Sequence, residues 1–278
     1  MTLIADSGST KVDWRFIAED GSVKNLLTSG INPVYLTDEQ IVDVLRKEVI
    51  PAFGERVDKV FFYGAGVVGE SHERLLACFK EVFPNSECEA KSDIEAAARA
   101  LCGHSAGIAA ILGTGSNSCF YDGKDVAKNV HPGGFIIGDE GSGADMGKML
   151  VSDYVKGILP QSIENEFRRK YGLEYADIVS KVYREPMPSR FLASFSRFIE
   201  KYEHHPHIEH IISTSFENFL YRNITAYDYR RYNVNFVGSI AFVFKPFLEK
   251  AVRDCGMRMG KVMRAPVEGL VQYHTERI

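Results

Sequence analysis

One pattern that occurs twice constrains the fold of this chain more than any other feature: an apolar strand, a turn rich in glycine and hydroxyl residues, and a second strand. The first copy consists of Thr2–Ala5, the turn from Asp6 to Thr10, and Val12–Ile17. The second copy consists of Ile108–Leu112, the turn from Gly113 to Asn117, and Ser118–Tyr121. Because β-rich runs on both sides of a glycine-centred turn predict a hairpin, each half of the sequence is expected to open with one.

Each hairpin is followed, further along the chain, by an apolar strand that ends in glycine. In the first half Val57–Tyr63 leads into Gly64, and in the second half Asn233–Val237 leads into Gly238. The remaining predicted elements are a third strand, Val23–Thr28, and helices at Thr37–Glu48, Ser71–Phe83 and Ile240–Cys255. Strands that alternate with helices and end at glycine turns predict α/β domains with binding sites at the strand ends.

The repetition predicts an α/β fold of two duplicated domains with an interdomain cleft. We place the domains at residues 1–107 and 108–278, with a helical insert at about 143–232 in the second. The last helix could pack back on the first domain. A length of 278 residues is sufficient for two modest domains.

Composition and charge exclude several classes of function. The net charge of −4 argues against a general nucleic-acid binder, which would carry a basic surface. No apolar run approaches the ~18 residues that span a membrane, and Asp6 falls too early for a signal peptide. The five cysteines are scattered and form no C-x-x-C pair, as is typical of reduced thiols. We therefore expect a cytoplasmic protein with neither nucleic-acid nor membrane partners.

The first turn, from Asp6 to Lys11, has the composition of a phosphate-binding loop. Glycine lets backbone amides converge on an anion, and the hydroxyls and the lysine add donors. Asp6 could hold Mg²⁺ beside the phosphates. An ordinary hairpin turn uses the same residue types, but two such turns in one chain would suit two clamps on one polyphosphate. The loop is not the P-loop pattern G-x-x-x-x-G-K-[ST].

Four motifs carry a resemblance to a known family. They are Asp6-Ser7-Gly8-Ser9-Thr10-Lys11, Gly113-Thr114-Gly115-Ser116-Asn117, Gly138-Asp139-Glu140-Gly141-Ser142-Gly143 and Val237-Gly238-Ser239-Ile240. In order and spacing the first three resemble the N-acetylglucosamine kinases, within the BadF/BadG/BcrA/BcrD-type ATPases of the actin, hexokinase and Hsp70 superfamily. The fourth resembles the adenosine-side motif of that family. The resemblance is dense to about residue 157 and thin through the insert. It implies two actin-like (ribonuclease H-like) ATPase domains and the ATP-dependent, Mg²⁺-assisted phosphorylation of an amino sugar, most simply N-acetylglucosamine to its 6-phosphate.

The resemblance also implies roles for individual residues. In the first domain Gly8, Ser9, Thr10 and Lys11 would bind phosphate, with Asp6 near the metal. In the second domain Thr114 and Gly115 would hold the β and γ phosphates, and Gly238 and Ser239 would lie against the nucleoside. These are the residues through which ATP would be bound.

The catalytic base implied by the resemblance is Asp93, at the start of a helix. A carboxylate there could take the proton of the attacking sugar hydroxyl during phosphoryl transfer. Aspartate is also a common N-cap residue, so a purely structural role for Asp93 before Ala96–Leu101 stays open.

The implied sugar-binding residues are Asn32, Gly134 and Asp139. Asn32 precedes a proline, where asparagine is also an ordinary turn starter. Glu140, next to Asp139, could cap the helix that begins near Gly143. At 133–135 the family has a tryptophan-glycine pair where this sequence has Gly-Gly-Phe, and the tail from Ala265 to Leu270 replaces a small-residue helix start with proline and glutamate.

Other features admit alternative functions. The histidines at 204, 205, 207 and 210 could bind a metal or simply begin a solvated helix. The aromatic stretch Tyr221–Tyr232 could stack RNA bases, pack within the insert, or form a homodimer contact. Two rival functions are an ATPase activator of a 2-hydroxyacyl-CoA dehydratase, which would need cysteines for an iron–sulfur cluster, and a sugar sensor without catalysis.

Overall fold

A computed structural model of the protein describes residues 1–8 and 11–276. Its chain divides into two compact units. The first unit contains Met1–His104 and the segment from Pro266 onward, and the second contains Ser105–Ala265. The C-terminal segment thus belongs to the same unit as the N-terminus.

Among the described residues, ten strands form two sheets of five. The strands of the first unit are β1 (Thr2–Ser7), β2 (Lys11–Ile17), β3 (Val23–Ser29), β4 (Lys59–Gly64) and β5 (Glu87–Ser92). The strands of the second unit are β6 (Gly107–Leu112), β7 (Ser116–Tyr121), β8 (Val126–Val130), β9 (Val234–Val237) and β10 (Met259–Met263).

The two sheets have the same topology. The first has the order β3-β2-β1-β4-β5, and the second, in the corresponding direction, has β8-β7-β6-β9-β10. In each sheet the first three strands form an antiparallel meander, and the next two run parallel to the first strand of that meander. The predicted α/β fold of two duplicated domains is confirmed.

The helices cover the sheets and fill the long connection in the second unit. They are α1 (Asp38–Val44), α2 (Ile50–Phe53), α3 (Gly69–Val82), α4 (Asp93–Cys102), α5 (Gly134–Ile137), α6 (Gly143–Val155), α7 (Gln161–Tyr171), α8 (Tyr175–Tyr183), α9 (Pro188–Ala193), α10 (Ser196–Lys201), α11 (Pro206–Arg222), α12 (Ser239–Val243), α13 (Lys245–Asp254) and α14 (Val267–Thr275). A π-helical segment, Leu45–Val49, joins α1 to α2. Within the described residues, no helix is both long enough and apolar enough to span a bilayer.

Alternation along the first strands places a hydrophobic core on each face of the first sheet. Leu3, Ala5 and Trp14 point to the face covered by α1 and α3. Ile4 and Tyr63 point to the opposite face, where α4 and α14 pack. Because successive side chains of a strand point to opposite faces, this sheet is buried on both sides.

Two predictions about elements need correction. The helix expected at Ile240–Cys255 is broken at Phe244, because Pro246 lacks an amide hydrogen and a new helix, α13, begins beside it. The strands β5, β8 and β10 were not predicted, since their segments are polar or short and lack the apolar runs of the central strands.

Candidate active site

The first unit brings three aspartates to one edge of its sheet. Asp6, near the end of β1, lies opposite Asp13 of β2 in the strand register. Asp93 begins α4 directly after β5, and its charge acts on Asp6. Asp6 and Asp93 were selected from the sequence, whereas Asp13 was missed. Its signal in the sequence is weak, a carboxylate between the apolar residues Val12 and Trp14 of β2.

The environment of Asp6 disfavours its negative charge. Burial, followed by the charges of Asp13 and Asp93, raises the pKa of Asp6 to about 7, while Arg15 acts in the opposite direction. Since a nearby cation would favour the ionised carboxylate, this position suits a metal ion or another positive group.

Asp93 occupies the first helical position of α4 and does not cap the helix. The N-cap is Ser92, whose hydroxyl oxygen accepts a hydrogen bond from the Glu95 amide at 3.4 Å. The structural alternative considered for Asp93, an N-cap role, is therefore wrong. Burial raises the pKa of the Asp93 carboxyl, and a hydrogen bond from the Ile94 amide opposes that shift.

The first glycine turn is described only in part. The Gly8 amide donates to the Lys11 carbonyl at 3.0 Å, which closes the hairpin, and Lys11 is exposed at the start of β2. Ser9 and Thr10, both predicted to bind phosphate, lie outside the described residues.

Asn32 organises a turn in the first unit. Its Oδ1 accepts from the Val34 amide at 2.9 Å, and its carbonyl accepts from the amides of Tyr35 and Leu36 at 3.1 and 3.0 Å. These contacts match the turn-starting role of asparagine before proline. Because the Val34 amide holds the Asn32 Oδ1, the turn also fixes the direction of the side-chain NH₂ group. The contact of Asn32 with sugar stays a prediction.

In the second unit, the turn between β6 and β7 is fixed by the N-terminus of α6. The Gly113 and Thr114 carbonyls accept from the amides of Gly143 and Ala144 at 2.8 and 3.0 Å. The backbone amides of Thr114 and Gly115, by contrast, donate to no group within the described residues. Two adjacent amides of this kind suit an anion such as phosphate.

Asp139 is buried against the same turn. Its Oδ1 accepts from the Ser116 amide at 3.2 Å, and burial raises the pKa of its carboxyl. A Cβ atom at Gly115 would lie 3.0 Å from the Asp139 carboxylate, so glycine allows this close approach. This geometry holds Asp139 against the turn, and its contact with sugar stays a prediction.

The cap of α6 differs from expectation. Ser142, not Glu140, is the N-cap, and its hydroxyl accepts from the Asp145 amide at 3.1 Å. Glu140 instead forms an ion pair with Arg222, in which Glu140 Oε1 lies 3.4 Å from Arg222 Nε. Gly134, the remaining predicted sugar residue, is exposed with φ 72° at the start of α5.

Gly238 lies beside the end of β6, next to the second turn. Its φ is 124°, and a Cβ atom there would lie 2.2 Å from the Leu112 carbonyl oxygen. Only glycine fits this position without a shift of backbone. Ser239 follows as the first, exposed residue of α12. The structure thus brings Gly238 close to the loop that carries Thr114 and Gly115.

A buried polar network below this loop was missed from the sequence. Asp145 accepts from the Ser215 hydroxyl at 2.6 Å and pairs with Lys148 at 3.3 Å. The Ser215 hydroxyl oxygen also accepts from the Gly141 amide at 3.1 Å. Because Ser215 is 70 residues from Asp145, no sequence spacing could indicate the contact.

The histidine cluster does not form a metal site. His207 Nε2 lies 2.8 Å from an Asp153 carboxylate oxygen. Across residues 1–8 and 11–276 no group of three or more His, Cys, Asp or Glu side chains is arranged to hold a metal ion.

Comparison with solved structures found a protein from Porphyromonas gingivalis, proposed to be an N-acetylglucosamine kinase, that is 43% identical to this chain. The match covers 99% of this chain and 98% of that one, with a TM-score of 0.94. A protein from Chromobacterium violaceum, also proposed to be an N-acetylglucosamine kinase, matches at 17% identity over 98% of both chains with a TM-score of 0.76. The ethanolamine utilization protein EutJ from Carboxydothermus hydrogenoformans matches at 15% identity over 98% of this chain and 89% of that one, with a TM-score of 0.53.

The two more distant matches show the fold alone, which is that of the actin-like ATPases, as predicted. Comparisons with protein-family models and with curated proteins found no match.

Proposed function

This chain belongs to the N-acetylglucosamine kinase family, and on that premise we propose that it is an ATP-dependent sugar kinase. The observation that carries the proposal is the 43% identity to the Porphyromonas gingivalis protein over nearly the full length of both chains. The paired glycine hairpins and the aspartate edge of the first unit support the same chemistry.

The proposed base is Asp93. As the sugar hydroxyl oxygen attacks the γ-phosphorus of ATP, its proton passes to the Asp93 carboxylate, and ADP leaves with the electron pair of the broken P–O bond. Burial raises the pKa of Asp93, and a carboxylate with a raised pKa is a stronger base at neutral pH.

The proposed ATP-binding residues come from both units. In the first unit they are Gly8, Ser9, Thr10 and Lys11. In the second, the amides of Thr114 and Gly115 would donate to phosphate oxygens, and Gly238 and Ser239 would contact the nucleoside. The lack of a hydrogen-bond partner for those two amides among the described residues supports this assignment.

Mg²⁺ fits the chemistry of the residues around Asp6. Carboxylate oxygens are ligands that Mg²⁺ prefers, and in kinases it takes one or two of them together with phosphates and water. When bound, Mg²⁺ neutralises the charge that develops on the phosphates. Asp6 would hold it, and its raised pKa would fall as the cation favours the ionised form.

The proposed substrate is N-acetylglucosamine, phosphorylated at the 6-hydroxyl, with Asn32, Gly134 and Asp139 in contact with the sugar. A screen of ADP release over hexoses and amino sugars, with ATP and Mg²⁺, tests the proposal. We expect N-acetylglucosamine to raise ADP release most and mass spectrometry to find its 6-phosphate. If no sugar raises ADP release above the ATP-only rate, the proposal is wrong.

Asp93→Asn tests the base. We expect kcat to fall by about 100-fold or more, as removal of a general base typically costs, while the affinity for Mg²⁺·ATP is retained. Asp43→Asn on α1, an exposed carboxylate in the same unit, is the matched control. Equal kcat values for the two variants would refute the role of Asp93.

A further inference from the structure

Arg15 is a buried arginine beside Asp6 and Asp13, and it has no role in the reaction proposed for this protein. Only 8% of the residue is exposed. Its Nη1 and Nη2 donate to the two carboxylate oxygens of Asp13, the second at 3.2 Å, and Nη1 also donates to the Trp14 carbonyl at 3.1 Å. The paired donors form the planar fork that fixes a carboxylate in orientation as well as charge.

The other side of the same guanidinium binds α14. Its Nε and Nη2 donate to Glu268 Oε1 at 3.0 and 2.9 Å. Glu268 lies 253 residues from Arg15 along the chain, in the tail segment that departs from the family pattern. Arg15 therefore connects β2 with the C-terminal helix.

The C-terminal helix in turn packs against the helix that carries Asp93. A Cβ atom at Gly269 would lie 2.6 Å from the Ala100 carbonyl oxygen, which shows how closely α14 approaches α4. Leu270 is fully buried in one cluster with Ala96 and Ala100. The position of α14 thus bears directly on the helix that begins at Asp93.

We propose that Arg15 is a positioning residue for phosphoryl transfer, which holds Asp13 beside Asp6 and links this pair through Glu268 and α14 to the Asp93 helix. The inference rests on the proposed kinase function. Asp6 and Asp13 stand opposite each other on neighbouring strands, so the guanidinium keeps one of the two carboxylates fixed and charge-balanced beside the other. The other carboxylate, Asp6, then remains available to the cation.

The test compares Arg15→Met with Arg46→Met. Arg46 is an exposed arginine of the same unit that also loses an ion pair, with Glu81, when it is replaced. Thermal unfolding with saturating AMP-PNP, followed as Mg²⁺ is titrated, needs no turnover. For Arg15→Met we expect the half-maximal Mg²⁺ concentration to rise about tenfold, in line with the loss of one or two charge-assisted hydrogen bonds. For Arg46→Met we expect a change of less than twofold.

Kinetics on N-acetylglucosamine separate positioning from a purely structural role. We expect kcat of Arg15→Met to fall about tenfold while KM for the sugar stays within twofold, since the hydrogen bonds of Arg15 to described residues reach Asp13, Trp14 and Glu268 and none of the predicted sugar residues. Arg15→Lys should not restore kcat, because one ammonium group cannot reproduce the fork. Adding Asp13→Asn to Arg15→Met should lower kcat less than twofold further, because the two residues act through one contact.

Three results would overturn the proposal. The first is a folded Arg15→Met variant whose half-maximal Mg²⁺ concentration and kcat both lie within twofold of the Arg46→Met values. The second is a wild-type kcat in Arg15→Lys, and the third is a double variant in which the losses of kcat caused by Arg15→Met and Asp13→Asn multiply. If Arg15→Met does not fold, Glu268→Gln carries the test, because its side chain is 69% exposed. It should lower kcat about threefold, and an unchanged kcat would refute the link through α14. If the wild-type protein phosphorylates no sugar, the kinase proposal fails, whereas the Mg²⁺·AMP-PNP titration still decides the role of Arg15.

Discussion

Replacement of Asp6 by asparagine should make the first unit more stable at alkaline pH in the absence of Mg²⁺ and nucleotide. The cause is the raised pKa of this carboxyl, about 7 in the folded protein against 3.8 for an unperturbed aspartate. Between these two values the folded state binds a proton that the unfolded state has already released. Stability of the wild-type protein therefore falls as pH rises from about 4 to about 7.

The size of the effect follows from the shift. Each pKa unit corresponds to about 1.4 kcal/mol, so a shift of about three units makes the ionised carboxylate cost about 4 kcal/mol above pH 7. Asparagine resembles the protonated acid and does not ionise. The difference in unfolding free energy between Asp6→Asn and wild type should therefore increase, in favour of the variant, by about 3 kcal/mol from pH 4.5 to pH 8.

The single tryptophan provides an assay for this unit alone. Trp14 is fully buried in the first unit, and its indole N–H donates to the Thr28 hydroxyl at 2.8 Å. Urea unfolding followed by Trp14 fluorescence, in EDTA, gives the free energy at each pH. This choice of probe avoids treating a chain of two units as one two-state transition.

Asp43→Asn serves as the control, because Asp43 is an exposed carboxylate that changes the net charge equally. We expect its free energy difference from wild type to vary by less than about 0.5 kcal/mol over the same pH range. If Asp6→Asn and Asp43→Asn show the same pH dependence, the electrostatic account of the aspartate edge is wrong.

Three further predictions concern stability. Burial and nearby positive charge lower the pKa of His274, which hydrogen-bonds Tyr63, to about 3. Because the folded state holds this imidazole neutral, the unfolding free energy decreases as pH falls from about 6.5 toward 3. In His274→Gln the urea midpoint should therefore fall less between pH 7 and pH 4.5 than in wild type. Gly238→Ala places a Cβ atom 2.2 Å from a backbone oxygen at φ 124° and should lower the free energy of unfolding in urea by more than about 2 kcal/mol. The control Gly256→Ala, at φ 68° with open space around the Cβ atom, should lower it by only about 1 kcal/mol. Equal losses in the two variants would contradict the steric argument. Ser142→Ala removes the cap of α6 and should lower the unfolding free energy by about 1 kcal/mol, and a loss below about 0.3 kcal/mol would show that the cap is dispensable.

Local signals were sufficient for the central strands and both hairpins. The runs at Thr2 and Ile108 are apolar, and each is bounded by glycine and hydroxyl residues that favour turns whatever their surroundings. These signals also revealed the duplication. The edge strands β5, β8 and β10 were harder to predict, because a strand with one neighbour needs few apolar residues. The strand β5, for example, reads Glu-Cys-Glu-Ala-Lys-Ser.

The caps of α4 and α6 were predictable in place but not in identity. A cap forms only where a side chain meets the free amides of the first turn, which depends on backbone angles that composition does not specify. Aspartate and glutamate were candidates at the starts of α4 and α6, yet serines at 92 and 142 hold the extended backbone and accept the bonds.

The sequence by itself determined the duplicated α/β architecture and the family, and it selected Asp6 and Asp93 as candidate site residues, because strands, turns and motifs consist of neighbouring residues. Only the tertiary structure decided which groups surround them. Asp13 faces Asp6 through strand register, and Arg15 reaches Glu268 across 253 residues. The first arises from the register of the β1–β2 hairpin and the second from the packing of α14 against the sheet, which no local pattern encodes. The feature that opens each half of the sequence therefore predicts where a phosphate could bind, whereas the charge balance around it is a property of the folded unit.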